Sequence, residues 1–332
     1  MKQIPEIDFV VTWVDDTDPV WLARKAEYGI KKDETINSTA RYRDWETLKY
    51  WFRGVEKFAP WVRNVYFVTD NQKPDWLNID NPKLKWVKHT DYIPSEYLPT
   101  FNSQPIELNL HRIKGLSDRF VYFNDDVFLI NKTKPEDFFK NGLPCDLPRL
   151  GVLYPTDTFS QMMFNDIKLL NKHFSLKKSI KENPIKWVKH QPLGGIFKLF
   201  LYGRRDLIPN SINPHIHTSF LKKTFEEVWN TEFDLLDGVS HNRFRTRNDI
   251  IQYVMRDWQL FKGEFEPQKP IGKVFMTSSM AYNNELLKFL KNRKGKVICI
   301  NDTEKETNFE EHKKVIIAEF EKIFPEKSSF EI

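Results

Sequence analysis

Short apolar runs alternate with amphipathic stretches along the first 131 residues. The apolar runs predict buried strands, at 7–14, at 63–69, at 84–88 and from 120 up to Asn124. Apolar residues recur at helical spacing over 41–58 and over 103–114, where Ser103 is the predicted N-cap. The resulting order β-α-β-β-α-β predicts an α/β fold: a Rossmann-like, mostly parallel sheet flanked by helices.

Carboxylates follow the ends of these predicted strands. They are Asp15, Asp16 and Asp18 after the first strand, Asp70 after the second, Asp91 near the third, and Asp125 and Asp126 after the fourth. Because the carboxyl ends of parallel strands meet at one edge of a sheet, we expect a shared acidic rim there. Buried carboxylates need a cationic partner, so the leading interpretation is a metal-bound phosphate site. The alternative is a tight turn in which both Asp125 and Asp126 face solvent.

The alternation of apolar runs with amphipathic stretches becomes less regular from about residue 132 to residue 214. Residues 171–190 are rich in Lys and broken by Pro184, and the following stretch mixes apolar with basic residues. We favour a helical insertion whose lysines face solvent. The alternative is that this segment contacts a membrane surface or a lipid head group. The remaining pattern predicts helices over 219–230, 247–261, 284–292 and 309–323, with a strand at 296–301.

The chain shows no internal repeat and no low-complexity linker, which predicts one catalytic domain over 1–332. Within it we expect an α/β core over 1–131 and a helical, basic insertion over 132–214. Residues 215–332 would then complete the catalytic part with a C-terminal strand and helix.

Composition narrows the class of protein. The chain has 332 residues, 14% of them aromatic, and a net charge of +5, which describes a globular protein with a mild preference for anions. Basic and acidic residues are mixed, which argues against nucleic acid as a partner. Two cysteines without a C-x-x-C pattern exclude a disulfide framework and a cysteine-zinc site. Without a signal peptide or an apolar span, we expect a cytoplasmic protein, with peripheral contact to the inner face of the membrane as a further option.

Several pairs of polar residues could take part in catalysis. Glu107 and His111 are four residues apart, and on a helix they would share one face, either as a tuned base or as a surface pair. Pro214-His215-Ile216-His217 begins a predicted helix, and the two histidines could be metal ligands, a base or capping residues. Walker A, G-x-G-x-x-G and G-x-S-x-G motifs are absent from the sequence. The classes of enzyme that remain are those that use a metal ion for group transfer and those that use carboxylates to act on sugars.

Four blocks together resemble the Stealth family of sugar-phosphate transferases. The blocks are IDFVVTWVDDTDPVW at 7–21; RYRDWETLKYWFRGVEKFAPWVRNVYFVTDNQKPDWLN with LPTFNSQPIELNLHRIKGLSDRFVYFNDDVFL; HIHTSFLKKTFEEVW at 215–229 with NRFR at 242–245; and VICIND at 297–302 with FPEKSSFE. The resemblance implies a GT-A-like fold in which the core over 1–131 binds a nucleotide sugar. It also implies transfer of a sugar 1-phosphate from this nucleotide-activated sugar, such as UDP-N-acetylglucosamine. The acceptor would be a hydroxyl of a glycan or lipid-linked glycan in capsular or other cell-surface polysaccharide synthesis, and nucleoside monophosphate would leave.

The resemblance also implies roles for single residues. It implies four catalytic residues, His215, Arg245, Asp125 and Asp126. It implies substrate binding by Trp13, Asp15, Arg43, Asp44, Asn102, Ser103, Glu107, His111 and Asn301. It implies Mg²⁺ or Mn²⁺ as cofactor, held by Asp126 and Asp302.

Two alternatives stay open at this level. A metal-dependent glycosyltransferase would also place an acidic pair after a strand, but it would release nucleoside diphosphate. The base that takes the proton of the acceptor hydroxyl is assigned to His215, with His111 and Asp125 as rivals.

Overall fold

The computed structural model describes residues 6–29, 44–277, 280–302 and 308–332. Its strands, in chain order, are β1 (Asp8–Thr12), β2 (Val65–Thr69), β3 (Leu84–Lys88), β4 (Arg119–Phe123), β5 (Val127–Leu129), β6 (Phe139–Lys140), β7 (Leu143–Asp146), β8 (Leu150–Gly151), β9 (Asn210–Ser211), β10 (Thr218–Leu221), β11 (Glu266–Pro267), β12 (Gly272–Met276) and β13 (Val297–Asn301). Its α-helices are α1 (Pro19–Glu27), α2 (Leu48–Phe58), α3 (Ser103–Leu108), α4 (Thr158–His173), α5 (Leu176–Glu182), α6 (Pro184–Val188), α7 (Leu193–Arg205), α8 (Lys222–Thr231), α9 (Phe233–Ser240), α10 (Tyr253–Phe261), α11 (Met280–Asn292) and α12 (Phe309–Ile323).

The first apolar run of the chain forms the centre of a five-stranded sheet with the order β10-β4-β1-β2-β3. Strands β1 to β4 pair in parallel, and Val10 of β1 lies between Tyr66 of β2 and Tyr122 of β4. Only the edge strand β10 runs antiparallel, against β4. The predicted α/β fold with a mostly parallel sheet is therefore confirmed, and the carboxyl ends of β1, β2 and β4 share one edge.

Two apolar clusters cover the two faces of this sheet, as the alternation of side chains along a strand requires. Phe9 and Val11 of β1 belong to the cluster that contains α2, α12 and the strands β5 and β13. Val10 belongs to the other cluster, which contains residues of α4, α8 and α10. All nine residues of α10 are buried, so this helix lies in the interior of the second layer.

A second sheet extends the fold beyond β4. It has three strands in the order β12-β13-β5, with β13 parallel to β12 and antiparallel to β5. The chain passes from the main sheet to this one within the turn Asn124–Asp126. The strand predicted at 296–301 is thus present as β13, but it pairs in the second sheet.

Several predicted boundaries are wrong. The helix predicted over 41–58 begins at Leu48, and its residues 41–43 lie outside the described part. The helix predicted over 103–114 ends at Leu108 and is followed by a 3₁₀ turn, Leu110–Arg112. The helix predicted over 247–261 begins only at Tyr253.

The segment around the two histidines differs most from the prediction. Pro214 to His217 begin no helix; they lead into β10, and the helix α8 begins at Lys222. The physical reason is pairing: Thr218 to Leu221 gain backbone hydrogen bonds with β4 at the open edge of the sheet. Such long-range pairing is invisible in a local pattern.

Residues 132–214 contain α4 to α7 together with short strands. The division of the chain into a core, an insertion and a completing part stays a prediction. Across the described residues, the helices are all too short or too polar to cross a bilayer.

Candidate active site

The acidic pair lies in the turn that joins the two sheets. Asp125 and Asp126 are half-buried, between the buried strands β4 and β5. Burial raises the pKa of Asp125 to about 8, and repulsion from Asp126 and Asp44 adds to the increase. The alternative of two aspartates that both face solvent in a tight turn therefore does not describe this turn, since both residues are half-buried.

Asp126 has an unused acceptor. Its Oδ1 is buried with no hydrogen-bond partner among the described residues, whereas its Oδ2 accepts from the thiol of Cys299 at 3.4 Å. Burial raises the pKa of this carboxyl, repulsion from Asp302 adds to the increase, and the nearby His215 opposes it. One ligand atom each from Asp126, His215 and Cys299 lies within 4.8 Å of the others.

This arrangement fits a divalent cation. An unpaired buried carboxylate oxygen next to further carboxylates is what a hard, oxygen-preferring ion such as Mg²⁺ or Mn²⁺ binds. The sulfur of Cys299 is a soft ligand atom, which a hard ion of this kind binds poorly. Asp126 with Asp302 therefore remains the better prediction for the ligand set.

His215 is held in a defined orientation. Its backbone N–H donates to Oδ1 of Asn213 at 2.7 Å, and its backbone is left-handed, with φ of 47°. Its ring Nδ1 is hydrogen-bonded to the hydroxyl of Tyr253 at 2.7 Å. The other ring nitrogen, Nε2, is then the one that can exchange a proton with a substrate.

His217 has different surroundings. Its ring packs against Phe123 and Phe138, with centroid distances of 5.9 and 4.8 Å. Burial lowers its pKa to about 4, so the ring is neutral at physiological pH. These ring contacts indicate a packing role.

A second polar group surrounds Arg245. The guanidinium donates to Oγ of Ser103 at 2.9 Å. Glu107 is buried, and burial raises its pKa to about 7, although Arg245 and hydrogen bonds with Ser103 and Tyr122 oppose that increase. The hydroxyl of Tyr122 is in turn hydrogen-bonded to Oγ1 of Thr12 at 3.0 Å.

Asn102 ties this group to the preceding loop. Its Oδ1 accepts from the backbone N–H of Gln104 at 3.1 Å, which caps α3. Its Nδ2 donates to Oδ2 of Asp249 at 2.9 Å, and Asp249 also accepts from the backbone N–H of Thr246 at 3.0 Å. Asn102 therefore holds in place the loop that carries Arg245.

Tyr253 connects the two groups. Its hydroxyl forms the hydrogen bond to His215 described above. The pKa of this hydroxyl is raised by burial and by the negative charges of Glu107 and Asp126. The hydroxyl therefore lies within electrostatic reach of both carboxyl groups. We call Arg245, Glu107, Tyr253, His215 and Asp126 the polar network, in which the charges that act on Tyr253 couple two separate groups of side chains.

The end of β1 supplies further acidic groups. Asp44 is half-buried, and its pKa is raised by burial and by repulsion from Asp15 and Asp16. Oδ1 of Asp15 accepts from the backbone N–H of Thr17 at 2.9 Å and from its hydroxyl at 2.6 Å. Trp13 is buried beside Phe67 at a centroid distance of 5.8 Å. Arg43 lies outside the described residues.

The end of β13 contributes Asn301 and Asp302. The carbonyl of Asn301 accepts from the backbone N–H of Thr277 at 3.0 Å. The indole Nε1 of Trp45 donates to Oδ2 of Asp302 at 3.3 Å, which ties Asp302 to the segment after Asp44.

His111 is separate from this network. It lies in the 3₁₀ turn after α3, with its ring beside those of Phe225 and Trp229 at centroid distances of 5.8 and 6.1 Å. Burial lowers its pKa to about 3. The expectation that Glu107 and His111 share one face of a helix is wrong, because α3 ends at Leu108.

Tyr122, Tyr253 and Cys299 were not among the predicted site residues. Each is an apolar-looking position within a predicted strand or helix, and local pattern alone assigns it to the core. Only pairing across the fold brings these side chains to Glu107, His215 and Asp126.

Comparison with known proteins identifies the family of the chain. Residues 5–33 match the family model described as Stealth protein CR1, conserved region 1, and residues 41–145 match Stealth protein CR2, conserved region 2. The chain is 43% identical to the capsular polysaccharide phosphotransferase WcwK of Streptococcus pneumoniae, over 100% of this chain and 99% of that protein. The chain belongs to the Stealth family.

A second relative points to the same class of enzyme. The receptor polysaccharide phosphotransferase WefC of Streptococcus oralis is 40% identical over 98% of this chain and 99% of its own length. This Stealth protein is accordingly an enzyme of the phosphotransferase class. Trp13 and Asp15 lie within the first matched region, and Asp44, Asp125 and Asp126 lie within the second.

Among solved structures, the likeness is weak. The apo structure of the WbbM bifunctional glycosyltransferase has a TM-score of 0.42 and 12% sequence identity, and the match covers 97% of this chain and 50% of that one.

Proposed function

We propose that this Stealth enzyme transfers a sugar 1-phosphate from a nucleotide-activated sugar to a hydroxyl group of an acceptor glycan. The acceptor oxygen forms a bond to the phosphorus next to the sugar, the pyrophosphate bond breaks, and nucleoside monophosphate leaves. The observation that carries the proposal is the position of Tyr253, whose hydroxyl is hydrogen-bonded to His215 and lies within electrostatic reach of Asp126 and Glu107. Transfer of a phosphoryl-type group requires a base, a cationic group and carboxylates near one another, and the residues of the polar network supply each of these side-chain types.

Arg245 is the residue that we assign to the phosphate oxygens. Its guanidinium is anchored through Ser103, and a planar guanidinium can bind two oxygens of one phosphate. Removal of such a group typically lowers the rate on the order of 10³-fold. Arg245→Lys should therefore be as inactive as a variant without the side chain, because Lys cannot bind two oxygens in this way. Arg149→Lys, at an exposed arginine, should leave the activity unchanged.

Asp126, with Asp302, is the pair that we assign to Mg²⁺ or Mn²⁺. When bound, the cation would neutralise charge on the donor phosphates. Asp125 and Asp44 lie near this position, and a bound cation would favour the ionised form of both carboxyl groups.

His215 is the residue that we assign as the base. Its hydrogen bond to Tyr253 fixes the ring, and its Nε2 would take the proton of the acceptor hydroxyl as the new bond to phosphorus forms. His111 is a weaker candidate because its ring packs against Phe225 and Trp229. Asp125 is the other candidate for the base.

The named relatives support the substrate class. They are a capsular and a receptor polysaccharide phosphotransferase, which supports a glycan or lipid-linked glycan acceptor in cell-surface polysaccharide synthesis. We propose a nucleotide sugar such as UDP-N-acetylglucosamine as donor, and a cytoplasmic place of action.

The experiment is incubation with a panel of nucleotide sugars, an acceptor glycan and Mg²⁺ or Mn²⁺, followed by mass analysis of the released nucleotide. We expect acceptor-dependent release of nucleoside monophosphate. His215→Ala should lose transfer while it retains donor affinity, and His190→Ala, at an exposed histidine, is the matched control. Release of nucleoside diphosphate would instead support the glycosyltransferase alternative.

A further inference from the structure

Helix α7 carries an apolar stripe that faces solvent. Its exposed apolar residues recur at the spacing i, i+3, i+4, i+7, i+8, and they are Leu193, Ile196, Phe197, Phe200 and Leu201. Helices use this spacing to face a core. Here the side chain of Leu193 is 86% exposed, and those of Phe197 and Phe200 are 65% and 67% exposed.

The other side of α7 already holds the helix on the protein. Leu199 is its only buried residue, within the core cluster that includes residues of α10. Beyond its last turn, the carboxylate of Asp206 accepts from the hydroxyl of Ser175 at 2.7 Å and from the backbone N–H of Lys177 at 2.9 Å. The stripe is therefore on a docked helix and not on a detached one.

Positive charge is concentrated around this stripe. Residues 172–205 contain nine Lys and Arg residues and one Glu, a net charge of +8. The whole chain has a net charge of +5, so the remainder is net negative. Within the described part of the chain, Lys189, Lys198 and Arg204 form no ion pair.

We propose that α7 and its basic surroundings form a binding surface for an anionic lipid bilayer. An exposed apolar stripe flanked by Lys and Arg is the pattern of helices that lie in the membrane interface, with the apolar side chains among the acyl chains and the basic groups at the phosphates. The exposed residues Ile185 and Val188 of the adjacent α6 extend the apolar area. This surface goes beyond the proposed function and does not depend on it.

A second copy of the chain fits this surface less well. In a symmetric dimer each copy would bring the same patch, so the basic groups Lys198, Arg204 and Arg205 of both copies would come together. Anionic lipids offer the opposite charge together with an apolar interior.

The test is flotation of the full chain with vesicles. Vesicles of phosphatidylglycerol mixed with phosphatidylcholine should bind the protein, and vesicles of phosphatidylcholine alone should bind it much more weakly. The variant Phe197→Ser/Phe200→Ser should lose roughly ten-fold or more in vesicle affinity. Phe233→Ser, at an exposed phenylalanine of α9, is the matched control and should bind like the wild type.

The charge is tested in the same way. Lys198→Glu/Arg204→Glu/Arg205→Glu should lower affinity on the order of a hundred-fold, because each basic residue near an anionic surface adds roughly five-fold. The control Lys288→Glu/Lys291→Glu/Lys294→Glu makes the same change in net charge elsewhere. If a double variant fails to fold, Leu193→Ser, at the most exposed side chain of α7, tests the same claim.

Three results would overturn the proposal. They are a wild-type protein that does not float with anionic vesicles, variants of the stripe that bind as the wild type does, and a dimer in solution that the substitution Phe197→Ser/Phe200→Ser dissociates. The last result would assign the surface to a second copy of the chain.

Discussion

At the scale of single residues, Glu107 is the group whose ionisation is most directly connected to the network. Burial raises its pKa to about 7 from an ordinary value near 4.5. A carboxyl whose pKa is higher in the folded than in the unfolded protein binds more protons when folded. Its contribution to stability is therefore complete below pH 4.5 and is lost as the pH rises through 7.

We predict that this loss is specific to Glu107. Between pH 5 and pH 8, the free energy of unfolding of the wild type should fall by about 2.5 kcal/mol more than that of Glu107→Gln, which has no titrating group there. Urea unfolding of both proteins at several pH values measures the difference. Parallel pH profiles for the two proteins would show that the carboxyl is not buried as described.

Tyr253 should act as a positioning residue. Tyr253→Phe removes the hydroxyl that holds Nδ1 of His215 at 2.7 Å, so kcat should fall roughly ten-fold, with the KM for the donor nearly unchanged. Tyr154→Phe, at an exposed tyrosine, should change neither constant. A variant that loses stability but keeps its kcat would assign Tyr253 to packing alone.

Asp126 should bind the divalent cation. Without any substrate, Mg²⁺ or Mn²⁺ should raise the melting temperature of the wild type, since a ligand of the folded state stabilises it by mass action. Asp126→Asn should lose this increase and abolish turnover, whereas Asp118→Asn, at an exposed aspartate, should keep both. Full activity in excess chelator would exclude a catalytic cation.

At the scale of elements, the contact between α2 and β5 determines where the acidic turn lies. Gly54 of α2 faces the backbone of β5: a Cβ at this position would lie 2.8 Å from the carbonyl oxygen of Leu129. A backbone atom cannot move aside as a flexible side chain can, so α2 approaches the second sheet this closely only because residue 54 is glycine.

Gly54→Ala should therefore destabilise the protein by about 1 to 3 kcal/mol, the usual cost of overpacking. Gly238→Ala in α9 is the matched control, since a Cβ there meets no atom within 4 Å and alanine favours a helix. The control should be neutral or more stable by roughly 0.5 to 1 kcal/mol. Thermal unfolding compares the two, and equal stability of both variants would contradict the close approach of α2 to β5.

Elements with strong local patterns could be predicted from the sequence. The apolar runs of β1 to β4 and their parallel arrangement follow from strand and helix periodicity, and the structure agrees. The start of α8 and the strand before it could not be predicted, because β10 exists through its pairing with β4. The early end of α3 at Leu108 likewise has no breaker such as Gly or Pro at that position.

At the scale of the whole molecule, the site combines residues that are far apart in the chain. Cys299 donates to Asp126 across 173 positions, and Arg245 donates to Ser103 across 142. Periodicity predicts neither contact. The polar residues themselves could be identified through the four family blocks, but the roles of Tyr122 and Tyr253 required the packing of α3, α10 and β4 against each other.

In the proposed reaction, the phosphorus next to the sugar moves together with the sugar to the acceptor. The most direct measurement uses a nucleotide sugar whose phosphorus next to the sugar carries a radioactive label, incubated with enzyme, acceptor glycan and Mg²⁺. We predict that the label appears in the glycan as a phosphodiester and that the released nucleoside monophosphate is unlabelled. Label retained in a released nucleoside diphosphate, with unlabelled glycan product, would contradict the account.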